Sequence, residues 1–420
     1  MGTPSLADHT SATSTTAGTE QSKMQVTINR ADIVSAAAWA VRYIPARPAH
    51  PVLAGLLIEI DGTEPGRREV RFTGRDWDTA ASATVTAEVE VPGRILVSGA
   101  LLAAICKHLT GDTVHLVADD SYATVTSGAA EFRMPLLPLD EVPATPAPVD
   151  LVGEVNSKAL AAAIGHVGKA ASRDDAVPMV TGICIGLTED GCLQLAATDR
   201  YRAATRDLSW QPPVSGGDTV FEPLLVPAQV LLGLAAGMTG DEDTVRITTT
   251  TDRGVVRFSN GSCWVTTRLL DVKFPPLARV IPTKDTTTSM VAREDLAGCV
   301  RRMGTVAGSA DQLVLTFGDA GITVTATDES YNSATEHITT AVEGPAITLA
   351  ARSTYLLAAL AGITTDQVHI GLTEAVGKPI LLRPVGVDGE PRGDALDVVM
   401  TLRLPGGDTD KASVTGEVAA

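Results

Sequence analysis

Three aspartates at matching places in the chain are the residues whose type and spacing could do chemistry. Asp76 lies in TGRDWDTAASATV from Thr73, Asp199 in ATDRYRAATRDL from Ala197, and Asp328 in ATDESYNSATEHI from Ala326. The last two segments start 129 residues apart. Carboxylates gathered in one place could share a proton or hold a metal ion. Here each sits once per segment at a strand end, so the folded chain is expected to keep them apart. Thr-Asp at such a place also reads as a plain strand-end turn. The seven histidines show no metal spacing, and neither a phosphate-cradling loop nor a Ser-His-Asp elbow occurs. The expectation is a protein with no catalytic site, no metal and no cofactor.

The cysteines point the same way. Cys106, Cys184, Cys192, Cys263 and Cys299 form no Cys-x-x-Cys pair, and each has an Ile, Leu, Val or Trp beside it. They read as small buried hydrophobes in a reducing, cytoplasmic setting.

The aspartate segments belong to a larger repetition. INRADIVSAAAWAVRYI at 28–44, VNSKALAAAIGHVGKAA at 155–171 and VAREDLAGCVRRMGTVA at 291–307 share a polar, cap-like opening and an Ala-rich helical spacing. A second trio starts at Val97, Val226 and Ala351, with steps of 129 and 125 residues. Each of its members reads as a helix, a Thr-Gly or Ile-Thr-Thr stop, and a strand. Alternating stretches such as GCLQLAATD and LVLTFGDAGITVTATD supply further strands, with Asn-Gly and Asp-Ala-Gly turns between them. The fold class is therefore α+β: a unit of about 125 residues, with two helices and antiparallel strands, run three times. The expected division is 24–148, 149–284 and 285–404. Residues 1–23 and 405–420 read as loose tails, the first rich in Ser, Thr, Ala and Gly and lacking the apolar stretch of a signal peptide.

Composition bounds the partners. The 420 residues carry 33 Lys+Arg against 50 Asp+Glu, a formal charge of −17. Hydrophobic residues make up 44% and aromatics 4%, so a core exists and is built from aliphatic side chains. No apolar run reaches the length of a membrane-spanning helix, and no membrane partner is expected. A charge of −17 excludes a protein that grips nucleic acid by bulk charge. The six helical windows, 28–48, 97–110, 155–173, 226–240, 291–307 and 351–363, nevertheless hold eleven basic and three acidic residues. They sum to +8, which leaves −25 elsewhere. A positive helical layer beside an acidic remainder suits helices that face phosphates.

Five segments carry a family resemblance. They are ARPAHPVLAGLLIEI at 46–60, SRDDAVPMVTGI at 172–183, ATDRYR at 197–202, LLDVKFPPLARVIP at 269–282 and DVVMTLRL at 397–404. In that order, on a threefold repeat, the chain from about Met24 to Leu404 resembles the bacterial sliding clamp, the beta subunit of DNA polymerase III, in its actinobacterial form. The resemblance implies a DNA clamp fold of three domains, closing as a head-to-tail dimeric ring. It implies a non-catalytic processivity factor. Such a ring would encircle double-stranded DNA without sequence preference and slide along it. Its partners would be the replicative polymerase, the clamp loader and repair proteins, held through short linear motifs.

The resemblance also implies two sites. A partner-peptide cleft maps onto Val180, Thr198, Arg200, Tyr201, Arg202, Ala203, Pro275, Arg279, Val280, Tyr355, Val376, Val398, Met400, Leu402 and Arg403. Its Val, Pro, Met and Leu would form an apolar pocket, and Arg202 and Arg403 would donate to the peptide backbone. A DNA-facing surface maps onto Arg47 and Arg173, with Lys107, Lys169, Arg301 and Arg302 added from helical position. Such residues would contact phosphates only.

The cleft departs from the family pattern. Ala203 stands where Leu is usual, Thr401 where Pro is usual, and Lys378-Pro379 occupies a rim turn that is small and polar in many relatives. Losing a Leu removes about 2–3 kcal/mol of possible burial. These departures suggest a variant or second-copy clamp whose cleft resists a peptide-like inhibitor, hence a link to antibiotic resistance. The rival reading is a repeat scaffold that binds peptides without encircling DNA. The +8 helical layer argues against it.

Overall fold

The computed structural model describes residues 23–48, 50–62, 65–143, 145, 148–213, 222–238, 243–373 and 377–404. The two expected tails, apart from Lys23, lie outside the described residues, and so does Val376. Six α-helices occur among the described residues, one in each helical window: α1 Arg30–Val41, α2 Gly99–Cys106, α3 Ser157–Val167, α4 Ala228–Gly237, α5 Arg293–Ala307 and α6 Ser353–Leu360. Each continues directly from a strand, for example Met24–Asn29 into α1 and Asp150–Asn156 into α3. The polar openings are thus partly strand ends. Polar side chains at these junctions make the turn. Asn29 Oδ1 accepts from the Ala31 N–H at 2.9 Å, and Asn156 Oδ1 from the Ala159 N–H at 3.0 Å. Each satisfies a donor that the first helical turn leaves free.

The threefold repetition is written into the hydrogen bonds. The first N–H of α1, α3 and α5 donates to the carbonyl of Asp112, Asp243 and Asp366 respectively, at 2.9, 2.7 and 2.8 Å. The strand before each of these helices pairs antiparallel with the strand that follows the same aspartate: Met24–Asn29 with Thr113–Ala118, Asp150–Asn156 with Thr244–Thr249, and Thr287–Ala292 with Gln367–Leu372. One local design has been used three times.

The chain divides into two compact units. The first runs to Val142 but omits Arg42–Pro45 and Gly74–Ala83, which belong with the second, from Pro143 onward. In the first unit, Ala130–Pro135, Tyr122–Ser127, Thr113–Ala118 and Met24–Asn29 lie side by side, antiparallel. Gly55–Ile60 pairs with Arg94–Ser98. α1 packs on α2, and the small buried residues Ala36, Ala37 and Ala40 allow close approach.

In the second unit a nine-stranded sheet crosses from one repeat to the next. Its order is Leu224–Pro227, Gly182–Leu187, Leu193–Thr198, Arg202–Leu208, Ala395–Val399, Ile380–Pro384, Gln367–Leu372, Thr287–Ala292 and Val342–Glu343. A four-stranded sheet, Ser333–Ile338, Gly321–Thr327, Gln312–Gly318 and Ile347–Arg352, completes the third repeat. Its core unites Leu296, Val300 and Met303 of α5 and Leu356 and Leu360 of α6 with Phe317 and Val324 on one side and Ile370 and Leu382 on the other. This is helix-on-sheet layering around an aliphatic core. The Asp-Ala-Gly turn needs its glycine: Gly321 has φ +125, and a Cβ there would meet the Ile338 carbonyl at 2.2 Å.

The five cysteines are free, but only Cys106 and Cys299 are fully buried; Cys184, Cys192 and Cys263 are half-buried. The expectation of burial thus holds for two of them. An apolar neighbour in sequence points to the opposite face of a strand, so it says little about the cysteine's own exposure. Burial still pushes the Cys106, Cys184 and Cys299 thiols up to about 11.

α6 has no side-chain cap of its own. Asp311 supplies one from elsewhere, accepting from the Thr354 N–H at 3.1 Å and from the hydroxyls of Ser353 and Thr354. Burial pushes the Asp311 carboxyl up, but these hydrogen bonds outweigh it and hold it below the usual value. A depressed carboxylate stabilises the fold above its unfolded pKa and loses that contribution as pH falls through the folded value. Asp311→Ala is expected to lower stability by about 1 kcal/mol, as loss of a helix cap does. In urea titrations the deficit should be present at pH 7 and shrink toward pH 3.

Candidate functional site

The three aspartates are turn caps. Asp76 Oδ1 accepts from the N–H groups of Asp78 and Thr79 at 2.9 and 2.6 Å. Asp199 Oδ1 accepts from Tyr201 and Arg202 at 3.0 and 2.9 Å. Asp328 Oδ1 accepts from Ser330 and Asn332 at 2.9 and 2.7 Å. Each closes the turn after its own strand.

The Asp199 turn forms one lip of a cleft. Arg200 takes a left-handed φ of 79 and donates its N–H to Thr198 Oγ1 at 3.0 Å. Thr198 in turn donates to the Arg202 carbonyl at 2.7 Å. Arg202 Nε donates to Asp199 Oδ2 at 3.0 Å, its Nη2 donates to the Lys169 carbonyl, and its guanidinium lies 5.0 Å from the centre of the Tyr355 ring. The turn is therefore held from several sides, which leaves Tyr201 53% exposed at the lip.

The facing lip comes from the last strand. Arg202 pairs with Val399, Ala203 with Val398 and Ala204 with Asp397. Met400 then donates its N–H to the Tyr201 carbonyl at 2.9 Å, and Leu402 donates to Ala350 at 2.7 Å. Ala203 and Val398 form an apolar floor with Leu381, against which Leu277, Ile281 and Leu396 pack. Pro275 is buried just before this packing segment, Val280 lies half-buried within it, and Arg279 is exposed. Val180 is buried in the turn Pro178–Val180, its carbonyl accepting from Ser172 at 2.8 Å. Arg403 is exposed, its carbonyl accepting from Gln312 at 2.8 Å. The structure thus brings Thr198 to Ala203 together with Tyr355, Val398 and Met400.

Both sequence departures have a structural meaning. Ala203 is the smallest member of the buried floor it forms with Leu381 and Val398, against which Leu277 and Ile281 pack. Thr401 donates its hydroxyl to the Lys378 carbonyl at 3.1 Å, so the two unusual rim positions are tied to each other. A proline at 401 could not make this bond.

These observations can be set beside known proteins. Family models for the N-terminal, central and C-terminal domains of the DNA polymerase III beta subunit match residues 24–146, 154–276 and 278–390. The beta sliding clamp of Streptomyces coelicolor is 33% identical over 387 residues, covering 91% of this chain and all of that protein. The chain belongs to the DNA polymerase III beta subunit family. This clamp family is a non-catalytic processivity factor of DNA polymerase III. The beta sliding clamp homolog GriR of Streptomyces muensis is 29% identical, covering 91% of this chain and all of that one. A sliding clamp of Pseudomonas aeruginosa, solved bound to griselimycin, superposes with a TM-score of 0.82 at 23% identity, covering 91% of this chain and all of that one. The three-domain clamp fold is thereby shown.

The candidate DNA-facing residues of this clamp fall into two groups. Arg47, Lys107, Lys169, Arg173 and Arg301 are exposed. Arg302 is also exposed, but it forms a two-pronged ion pair with Glu336. Its charge is already met within the third repeat. The spacing of α5 could not reveal this, because Glu336 comes from a strand 34 residues away.

The cleft also rests on residues that the sequence reading missed. Leu277, Ile281, Leu381 and Leu396 complete the apolar floor; the first two flank Arg279-Val280, where an i, i+4 apolar pair was the available signal. Behind the floor is a buried ion cluster. His166 Nε2 lies 2.6 Å from Asp397 Oδ1, and Arg206 Nη2 lies 2.8 Å from Asp397 Oδ2. His166 and Asp397 are 231 residues apart in the chain, so no spacing rule joins them. Gly362 makes room for the cluster, since a Cβ there would fall 1.4 Å from His166 Nδ1. Removing Asp397 would leave the largely shielded Arg206 guanidinium without its carboxylate partner, with only backbone carbonyls to accept from it. Asp397→Ala is therefore expected to cost about 3–5 kcal/mol, read as a lowered midpoint in thermal unfolding. Replacing the pair together, Asp397→Leu with Arg206→Met, should cost less than the single change.

Proposed function

We propose that two copies of this chain close head to tail into a ring around duplex DNA. The observation that carries this reading is the pattern of strand pairing. The strand after the Asp76 turn pairs with the last strand of the second repeat, through Thr79–Ala83 and Cys263–Thr267. The strand after the Asp199 turn pairs with the last strand of the third repeat. The matching strand after the Asp328 turn, Ser333–Ile338, is at a sheet edge, and the last strand of the first repeat, Ala130–Pro135, is at another. The free edge of one copy fits the free edge of the next, and two such contacts complete a closed dimer. The division into domains at 24–148, 149–284 and 285–404 is kept as part of this proposal.

Within such a ring, Arg47, Lys107, Lys169, Arg173 and Arg301 meet the phosphates without reading bases. The DNA is held by enclosure. A net +8 on the helical windows lets the backbone slide past, and the acidic remainder keeps other surfaces off DNA. The replicative polymerase, the clamp loader and repair proteins bind through peptides of the Gln-Leu-x-Leu-Phe kind. Their Leu and Phe sit on the floor of Ala203, Val398 and Leu277, and their backbone meets Arg202 and Arg403. Arg200 offers a further donor, since its Nε is buried with no hydrogen-bond partner among the described residues. Tethering then works by effective concentration. The place of action is the cytoplasm.

The dimer is expected to stay on closed circular DNA in gel filtration at moderate salt and to be lost when the circle is cut. Prompt loss from intact circles would return the chain to the reading of a peptide-binding scaffold.

The altered cleft is proposed to serve a clamp variant or second copy that discriminates against a competing peptide-like inhibitor. Ala203 and the Thr401–Lys378 bond are its means. The double variant Ala203→Leu, Thr401→Pro should bind griselimycin about tenfold or more tightly than the parent, the return on about 2 kcal/mol of restored burial. Isothermal titration of both proteins checks this, and equal affinities would sink it.

A further inference from the structure

The partner cleft has a counterpart one repeat earlier. The Asp76 turn repeats the Asp199 turn, and the pairing registers coincide. Ala203 opposes Val398, and Ala80 opposes Thr266. The Met400 N–H donates to Tyr201 at 2.9 Å, and at the corresponding place the Arg268 N–H donates to Asp78 at 3.0 Å. Asp199 N–H donates to the Arg202 carbonyl at 3.2 Å, and Asp76 N–H to that of Thr79 at 2.8 Å. At this second junction lies an open pocket of about 230 Å³, lined by Arg75, Trp77, Asp78, Pro143, Thr266 and Arg268 among others. That is room for one or two side chains of a ligand.

The same backbone frame carries different chemistry. Arg75 takes the place of Thr198, Thr266 that of Val398, and Arg268 that of Met400. Arg75 is only 7% exposed and is held by the Pro143 carbonyl and by Thr145 Oγ1 at 3.1 Å. Burial pulls its basicity down, opposed by Asp76. A desolvated guanidinium at the back of a pocket favours an anionic ligand group. Arg268, on the rim, is 3.2 Å from Asp78, and both are largely exposed, so this pair is loose enough to yield to a ligand. Trp77, 57% exposed, offers a flat apolar face beside the two cations.

We propose that this pocket is a second partner-binding cleft, one that takes a short acidic peptide segment carrying an apolar or aromatic side chain. The carboxylate reaches toward Arg75 and Arg268, and the apolar side chain lies on Trp77. A peptide fits better than a nucleic acid: the Asp78 carboxylate in the lining and the Asp76 carboxylate beside it repel a continuous run of phosphates, but match the N–H donors of an extended backbone. The proposal rests on the reading of the other junction as a peptide cleft, and its test separates the two.

Fluorescence anisotropy with the full chain provides that test. The probes are fluorescein-labelled Gly-Ser-Glu-Phe-Glu-Leu-Gly, its counterpart with Gln for Glu, and a labelled Gln-Leu-Ser-Leu-Phe peptide. The acidic probe should bind, lose about tenfold in affinity when its Glu residues become Gln, and weaken as salt rises. Arg268→Glu and Trp77→Ala, both exposed positions, should weaken it by a similar factor while leaving the Gln-Leu-Ser-Leu-Phe titration unchanged. Unlabelled Gln-Leu-Ser-Leu-Phe should not displace it. No binding of the acidic probe, binding indifferent to both variants, or stronger binding of a thymidine oligonucleotide at the pocket would overturn the proposal. Failure of the Gln-Leu-Ser-Leu-Phe titration alone would instead count against the cleft at the other junction.

Discussion

The fold depends on one constraint: a strand cannot leave its backbone donors and acceptors unmet without cost. In this chain the strands after the Asp76 and Asp199 turns satisfy their outer edge with the last strand of the following repeat. Arg202–Leu208 does so with Ala395–Val399, and Thr79–Ala83 with Cys263–Arg268. The two candidate clefts arise at those two seams. Each seam brings a turn lip, a strand end and a proline-bearing loop into one place. The third copy of the same strand, Ser333–Ile338, lies at a sheet edge among the described residues, and the proposed assembly answers the same constraint.

The two seams show how a duplicated frame can diverge. Their backbone hydrogen bonds match residue for residue, but the side chains do not. One seam carries Ala203, Val398 and Met400; the other carries Thr266, Arg268 and a buried Arg75. Backbone pairing is indifferent to side-chain polarity where a face looks into an open groove. Recognition is therefore free to change while the architecture stays fixed. The Thr401–Lys378 bond makes the same point on a smaller scale, since it alters the rim without disturbing the strand.

Charge has to be read by place as well as by sum. The −17 of the chain is the sum of +8 in its helical windows and −25 in the rest. Even within the helices the tally overstates the free charge. Arg302 is tied to Glu336, and Arg293 to Glu294. Arg42 donates to the Gly233 carbonyl. On the proposed reading, a modest number of cations outside such pairs suits a surface over which a polyanion would move, because a tight network of ion pairs to phosphate would hold it still.

By itself the sequence determined the α+β class, the threefold repetition and the six helices, and it offered a turn as one reading of Asp199 and Asp328. These rest on spacing within some twenty residues, and neighbours along a chain are neighbours in space within a helix or a hairpin. Helix limits were legible only to within a few residues: α2 stops at Cys106, short of the Thr110-Gly111 signal, and residues 107–112 form a turn and loop before the strand begins at Thr113. Much of the cleft was legible through five quoted segments, but its floor was not. Leu381 and Leu396, the Arg302–Glu336 pair and the buried cluster of His166, Arg206 and Asp397 join positions up to 231 residues apart. Only the tertiary structure decided those, because which distant side chains share a desolvated space depends on how sheets pair across repeats. No local pattern encodes that pairing.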